Sequence, residues 1–289
     1  MPYDLKGRNV LVTGGSRGLG AAVAHAFAAQ GANVAINFQS NAAAAQSVID
    51  SIEQKHPDVV TLALRADVGR MDECAELVGK VAKTLGGLDV VVANAGYTKF
   101  SKFGDLDALS EEDWDKCWAV NVKGKLALLR AALPTFNANK DGGAFIITSS
   151  VALQLCSSLP HDQNDNIYPK RKIVSKKANI ALLQRQGVQQ SGSSMAYSVT
   201  KAAQLHLMKC LAASQGDKVR VNAVLPGLLL TDWGEQYPPE VIEAMKEKAA
   251  LKTVTDLQDC ADTYVMLAKN TSMTGAKIQV DAGLFVNSA

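Results

Sequence analysis

The chain has 289 residues, 47% of them hydrophobic and 20% charged, enough to bury a large core without disulfides or metal. Its formal net charge of +2 gives neither a broad basic field for nucleic acid or anionic lipid nor an acidic tail. The expected partner is a small molecule, with no nucleic acid, no membrane and no metal. Cys74, Cys117, Cys156, Cys210 and Cys260 are widely separated and form no CxxC pair, so they read as reduced structural thiols. No long apolar stretch near either end suggests a signal or anchor, and a cytoplasmic location is expected.

Taken in order, short apolar runs recur as "NVLVTG" at 9, "NVAINF" at 33, "VVTLAL" at 59, "LDVVVA" at 88, "AFIITS" at 144, "VRVNAVL" at 219 and "AKIQV" at 276. They read as strands buried on both faces. Helix-length segments lie between them, such as 18–30, with Val23 and Phe27 a turn apart and Gly31 as a stop, and 71–85, closing at Gly86-Gly87. Alternation of this kind predicts an α/β fold with a parallel sheet of about seven strands and helices on both faces. Ligands then bind beyond the carboxyl ends of the strands.

"TGGSRGLG", residues 13–20, follows the first strand and opens the first helix. Gly14, Gly18 and Gly20 let the backbone approach a pyrophosphate, and the free amides of the helix start favour its charge; a plain tight turn is the competing reading. Ser16 and Leu19 belong to the same turn. The second strand ends in "AINFQSN", where Asn37, Gln39, Ser40 and Asn41 stand in place of an acidic residue that would repel a 2'-phosphate. Arg17 has the planar fork to pair with that phosphate, against the alternative of a solvated loop arginine. NADP is therefore the expected cofactor.

"MAYSVTKAAQLHLMKCL", 195–211, has the period of a buried helix and places Tyr197 and Lys201 on one face. A nearby ammonium is expected to lower the phenol from its usual pKa of about 10 toward the working range. Most Tyr-x3-Lys pairs are ordinary helix surface. A second pair, Tyr168 and Lys172 in "YPKRK", is set aside because Pro169 pushes Tyr168 out of the helical region.

With the glycine turn and this helix in hand, the chain resembles the short-chain dehydrogenase/reductase family from about residue 8 to 285, with one break. The resemblance implies a doubly wound, Rossmann-type fold and an oxidoreductase of the alcohol dehydrogenase type. It matches Asp67-Val68 in "RADV" to an adenine contact and Asn94-Ala95-Gly96 to a turn supporting the cofactor. Pro226-Gly227 and Thr231 match its nicotinamide side. Ser150, in "FIITSSVA", matches its catalytic serine, which would hydrogen-bond the carbonyl oxygen as charge develops. Ser149 is the alternative, since one residue of register changes the face. Asn121, in "WAVNVKG", matches a helix asparagine that holds a water in a proton relay with Lys201; a simple helix kink is the competing reading. No histidine stands where serine-hydrolase chemistry would need one.

Between Ser150 and Tyr197 the chain is much longer than in the family. The segment 153–192 carries six Lys or Arg against two Asp, and about 155–189 reads as an insertion within a single domain, 1–289. Quadrupling a loop costs only about 1.2 kcal/mol of closure entropy, so the site can survive it. A lid, a partner surface, a disordered loop and a sequence artefact remain open for it. Tyr97, Phe100, Phe103, Trp233 and Tyr237 suggest a pocket for an apolar or aromatic carbonyl, or ordinary packing. The expected activity is interconversion of a ketone and a secondary alcohol by an NADP-dependent homodimer or homotetramer. The alternative is a catalytically silent dinucleotide-binding sensor or scaffold that uses the insertion for a partner.

Overall fold

The structure, a computed structural model, describes residues 3–151 and 193–286. The 155–189 segment, with Tyr168 and Lys172, lies outside the described residues.

All seven apolar runs form strands: β1 Asn9–Thr13, β2 Asn33–Phe38, β3 Thr61–Arg65, β4 Val90–Ala93, β5 Gly143–Thr148, β6 Val219–Pro226 and β7 Lys277–Val280. They make one sheet in the order β3-β2-β1-β4-β5-β6-β7, and every neighbouring pair is parallel. β5 and β6 pair directly, so the chain rejoins the same sheet after residue 192. Burial on both faces holds for β1, β4 and β5. It fails for the edge strands β3 and β7, which have a neighbour on one side only and are partly exposed.

The helices are α1 Gly18–Ala28, α2 Ala42–Lys55, α3 Met71–Leu85, α4 Glu111–Trp118, α5 Gly124–Ala138, α6 Met195–Gln215, α7 Pro239–Lys248 and α8 Leu257–Lys269. Two apolar clusters sandwich the sheet. One joins α1, α2 and α8 to it through Val23, Phe27, Ile52 and Tyr264. The other joins α3, α5 and α6 through Leu77, Leu128, Phe136 and Met208. Each fully buried side chain of this size contributes roughly 1.5–3 kcal/mol of transfer free energy.

Local chemistry sets the helix ends. Asn41 caps α2 by accepting from the Ala44 amide, and Ser110 with Asp113 forms a capping box on α4. α3 stops at Gly86, whose φ of 76° is left-handed. Between α4 and α5 the chain widens into one π-helical turn, Ala119–Lys123, centred on Asn121. Chain connections run outward in opposite directions from β1 and β4, and that reversal opens a crevice at their carboxyl ends.

Candidate active site

A cavity of about 590 Å³ occupies that crevice. Every cofactor-binding residue expected from the sequence lines it, from Gly14 through Asp67 and Asn94 to Thr231, together with Ser150, Tyr197 and Lys201. Asn121 stands behind the wall, fully buried.

At the phosphate end, Gly14 and Gly18 have φ of 64° and 53°, a region that L side chains rarely adopt. A β-carbon at Gly20 would collide with the Gly14 carbonyl oxygen. No side chain caps α1 and its first turn holds no acidic residue, so its amides and positive dipole end are available to an anion. This bare cradle fits a dinucleotide pyrophosphate. Arg17 is exposed at the rim and paired with Asp232. Ser40 is exposed at the end of β2.

Asn37 lines the cavity from β2. Its side chain is 2% exposed and donates to the Ala66 carbonyl at 3.0 Å, while its Oδ1 accepts from the Gly14 amide at 3.4 Å. It ties the glycine turn to β2 and β3. Asp67 accepts from the Gly69 amide at 2.9 Å and shapes the turn after β3.

The 94–97 turn is held from three sides. Asn94 Nδ2 donates to the Thr13 carbonyl at 3.0 Å, and the Ala95 amide donates to Thr13 Oγ1 at 3.0 Å. Asn121 Oδ1 accepts from the Tyr97 amide and its Nδ2 donates to the Tyr97 carbonyl, both at 2.9 Å. Asn121 Nδ2 also donates to Thr200 Oγ1 at 3.0 Å. The carbonyl of Asn121, in the widened turn, accepts from Gln204 Nε2 at 2.5 Å. The mid-helix asparagine and the helix distortion are thus one feature.

At the chemical end, Ser194 caps α6 by accepting from the Tyr197 amide at 3.3 Å, which places Tyr197 in the first turn. Its hydroxyl and the Ser150 side chain face the same cavity, close enough for Ser150 to favour the phenolate. Ser149, 2% exposed, instead donates to the Lys201 carbonyl at 3.1 Å. Lys201 Nζ donates to the Thr148 carbonyl at 2.8 Å and lies 5.1 Å from the Tyr197 ring centroid. A β-carbon at Gly96 would stand 3.8 Å from Lys201 Nζ, so the turn passes directly beside the amine.

The expected acidification of the phenol is not found. Burial, then the nearby Tyr237, holds Tyr197 well above its ordinary value, while Ser150 pulls the other way. Burial, reinforced by Lys125, depresses Lys201 well below the usual lysine range. Spacing four apart brings the ammonium to the ring face, and desolvation of both groups outweighs their attraction.

Trp233 lies 5.5 Å from the Tyr197 ring and Phe100 packs edge-on to Tyr237 at 5.4 Å. Tyr97, Trp233 and Tyr237 line the cavity; among the described residues that line it, Phe100 and Phe103 are absent. Lys125 and Gln204, both fully buried beside this site, were not foreseen. The one sequence signal was a polar residue set in an otherwise apolar helix face.

A parallel sheet with a glycine turn at its reversal point, and serine, tyrosine and lysine gathered at the adjoining strand ends, defines a Rossmann-type dinucleotide site. The chain belongs to the short-chain dehydrogenase family. The family description "short chain dehydrogenase" matches residues 8–158, and "Enoyl-(Acyl carrier protein) reductase" matches 168–285. Versicolorin reductase 1 of Aspergillus parasiticus is 30% identical, over 98% of each chain. The 3-oxoacyl acyl-carrier-protein reductase FabG of Staphylococcus epidermidis is 28% identical, over 96% of this chain and 99% of its own. A short chain dehydrogenase from Burkholderia cenocepacia, solved in complex with NADP, superposes with a TM-score of 0.78 at 28% identity, covering 98% of this chain and 99% of that one.

Proposed function

We propose that the protein is an NADP(H)-dependent oxidoreductase that interconverts a ketone and a secondary alcohol, with Tyr197 as general acid and base. The observation that carries this reading is that Ser150, Tyr197 and Lys201 line one cavity with the glycine turn, at the carboxyl end of β5. Two hydroxyls so placed make a paired donor site for one carbonyl oxygen.

When bound, the nicotinamide of NADPH would supply the hydride. The amides of α1 and the glycine turn hold the pyrophosphate, and Arg17 pairs with the 2'-phosphate. Lys201, its amine facing the cavity beside Gly96, donates to the sugar hydroxyls and steadies Tyr197. Ser150 orients the carbonyl oxygen, and the Tyr197 O–H bond breaks as its proton passes to that oxygen. Asn121 fixes the turn beneath the reacting groups. Its carbonyl, to which Gln204 Nε2 donates, would hold the water of a proton relay toward Lys201. The Trp233 indole against Tyr197 gives the substrate face an aromatic wall, which suits a flat or aryl ketone.

Oxidation of NADPH followed across a panel of alkyl and aryl ketones tests the assignment. Turnover is expected with NADPH, at least tenfold faster than with NADH. NADPH binding without turnover of any ketone, or equal use of NADH, overturns it.

A further inference from the structure

Lys125 is 0% exposed, although it stands in "GKLALLR" where a lysine would ordinarily reach solvent. Among the described residues no carboxylate pairs with it. Its amine donates to the Ala95 carbonyl. An ammonium without a counter-charge in an apolar interior is unfavourable, and a methionine would fill the same volume without that cost. Stability does not account for the residue, and function at the expense of stability does.

Its neighbours say what that function is. Asn121 and Lys125 are one helical turn apart, and they grip the same loop at either side of Gly96: Asn121 holds Tyr97 and Lys125 holds Ala95. A β-carbon at Gly96 would lie 3.6 Å from Asn121 Oδ1 and 3.8 Å from Lys201 Nζ. The titratable groups that act on Lys125, or that it acts on, are Cys74 of α3 and Lys201 of α6. Burial pushes the Cys74 thiol up to about 11, which leaves it neutral near physiological pH. Lys201 is then the titratable group on which Lys125 acts.

We propose that Lys125 is a positioning residue of the cofactor site: it ties Ala95 to α5 so that the 95–97 turn faces Lys201. This rests on the reading of the cavity as the NADP site. Burial brings the Lys125 amine down to about 7, so it is neutral above that pH and cationic below. As pH falls through 7 the new charge adds to burial in disfavouring the protonated form of Lys201. Both amines titrate below their unfolded values. Stability therefore rises as pH increases from about 7 toward the ordinary lysine range, and that gain is lost as pH falls back.

The test measures the Kd of NADPH by protein fluorescence, and Tm, between about pH 6 and 9 for the full chain, Lys125→Gln and Lys125→Met. Glutamine keeps a neutral donor for the Ala95 carbonyl, whereas methionine keeps only the volume. An inflection in Kd near pH 7 is expected in the native chain and in neither variant. At pH 8 methionine should weaken binding roughly 3- to 10-fold, as loss of one hydrogen bond does, and glutamine less. Tm of Lys125→Met at pH 6 should equal or exceed that of the native chain. An inflection that persists in both variants, unchanged Kd in Lys125→Met, or a lowered Tm at both ends of the range overturns the proposal. Failure of the native chain to bind NADPH would instead remove the reading on which it rests.

Discussion

Arg17 Nη1 stands 3.2 Å from Asp232 Oδ2, an ion pair that joins the glycine turn to the loop after β6. Both side chains are exposed, at 73% and 67%, so the pair contributes about 0–1 kcal/mol. Arg17 is therefore held near the cavity mouth by a contact that a phosphate can displace.

Replacing Arg17 with alanine should raise KM for NADPH about 10- to 100-fold, the equivalent of roughly 1.5–3 kcal/mol for charge-assisted hydrogen bonds, and leave KM for NADH nearly unchanged. Asp232→Asn should lower KM for NADPH by up to about fivefold by freeing the guanidinium. Initial rates with the two cofactors check both. An equal loss for NADH in Arg17→Ala would show that the residue does not read the 2'-phosphate.

The direction of the Tyr197 shift predicts a pH asymmetry. A phenol held above its ordinary value keeps its proton through the neutral range, so ketone reduction has its acid in place and should not slow as pH rises from about 6 to 9. Alcohol oxidation needs the phenolate and should climb by up to about tenfold per pH unit over the same range. Profiles of kcat in both directions give the comparison, and an oxidation rate that is flat with pH would contradict it.

The neighbouring serines should separate cleanly. Ser150→Ala removes a donor aimed at the carbonyl oxygen and should lower kcat about 100- to 1,000-fold with the fold intact. Ser149→Ala removes a buried hydrogen bond to the Lys201 carbonyl and should act on stability instead, by about 1 kcal/mol. Activity and thermal unfolding of the two variants settle which hydroxyl serves the reaction.

Strand positions were readable because parallel strands covered on both faces leave unbroken apolar runs, and "TGGSRGLG" carries its own reason for glycine. The choice between Ser149 and Ser150 was not readable, since it turns on which oxygen the α6 backbone captures. Spacing placed Tyr197 beside Lys201 correctly, but spacing says nothing about solvent, and burial reversed the expected shift. The sequence also does not show that Asn37 donates to the Ala66 carbonyl just past β3. A polar residue in the apolar face of α5 hints at Lys125, but its partner, the Ala95 carbonyl, lies on a sequence-distant turn that local pattern does not show.

The proton donor is the centre of the account, and Tyr197→Phe with a reducible ketone is the most direct measurement of it. Removing one oxygen from the ring should lower kcat at least about 1,000-fold at neutral pH, since acid catalysis and its hydrogen bond vanish together, while the Kd of NADPH measured by fluorescence changes less than about threefold. Near-normal turnover by the phenylalanine variant would contradict the assignment of Tyr197 as the group that protonates the carbonyl oxygen.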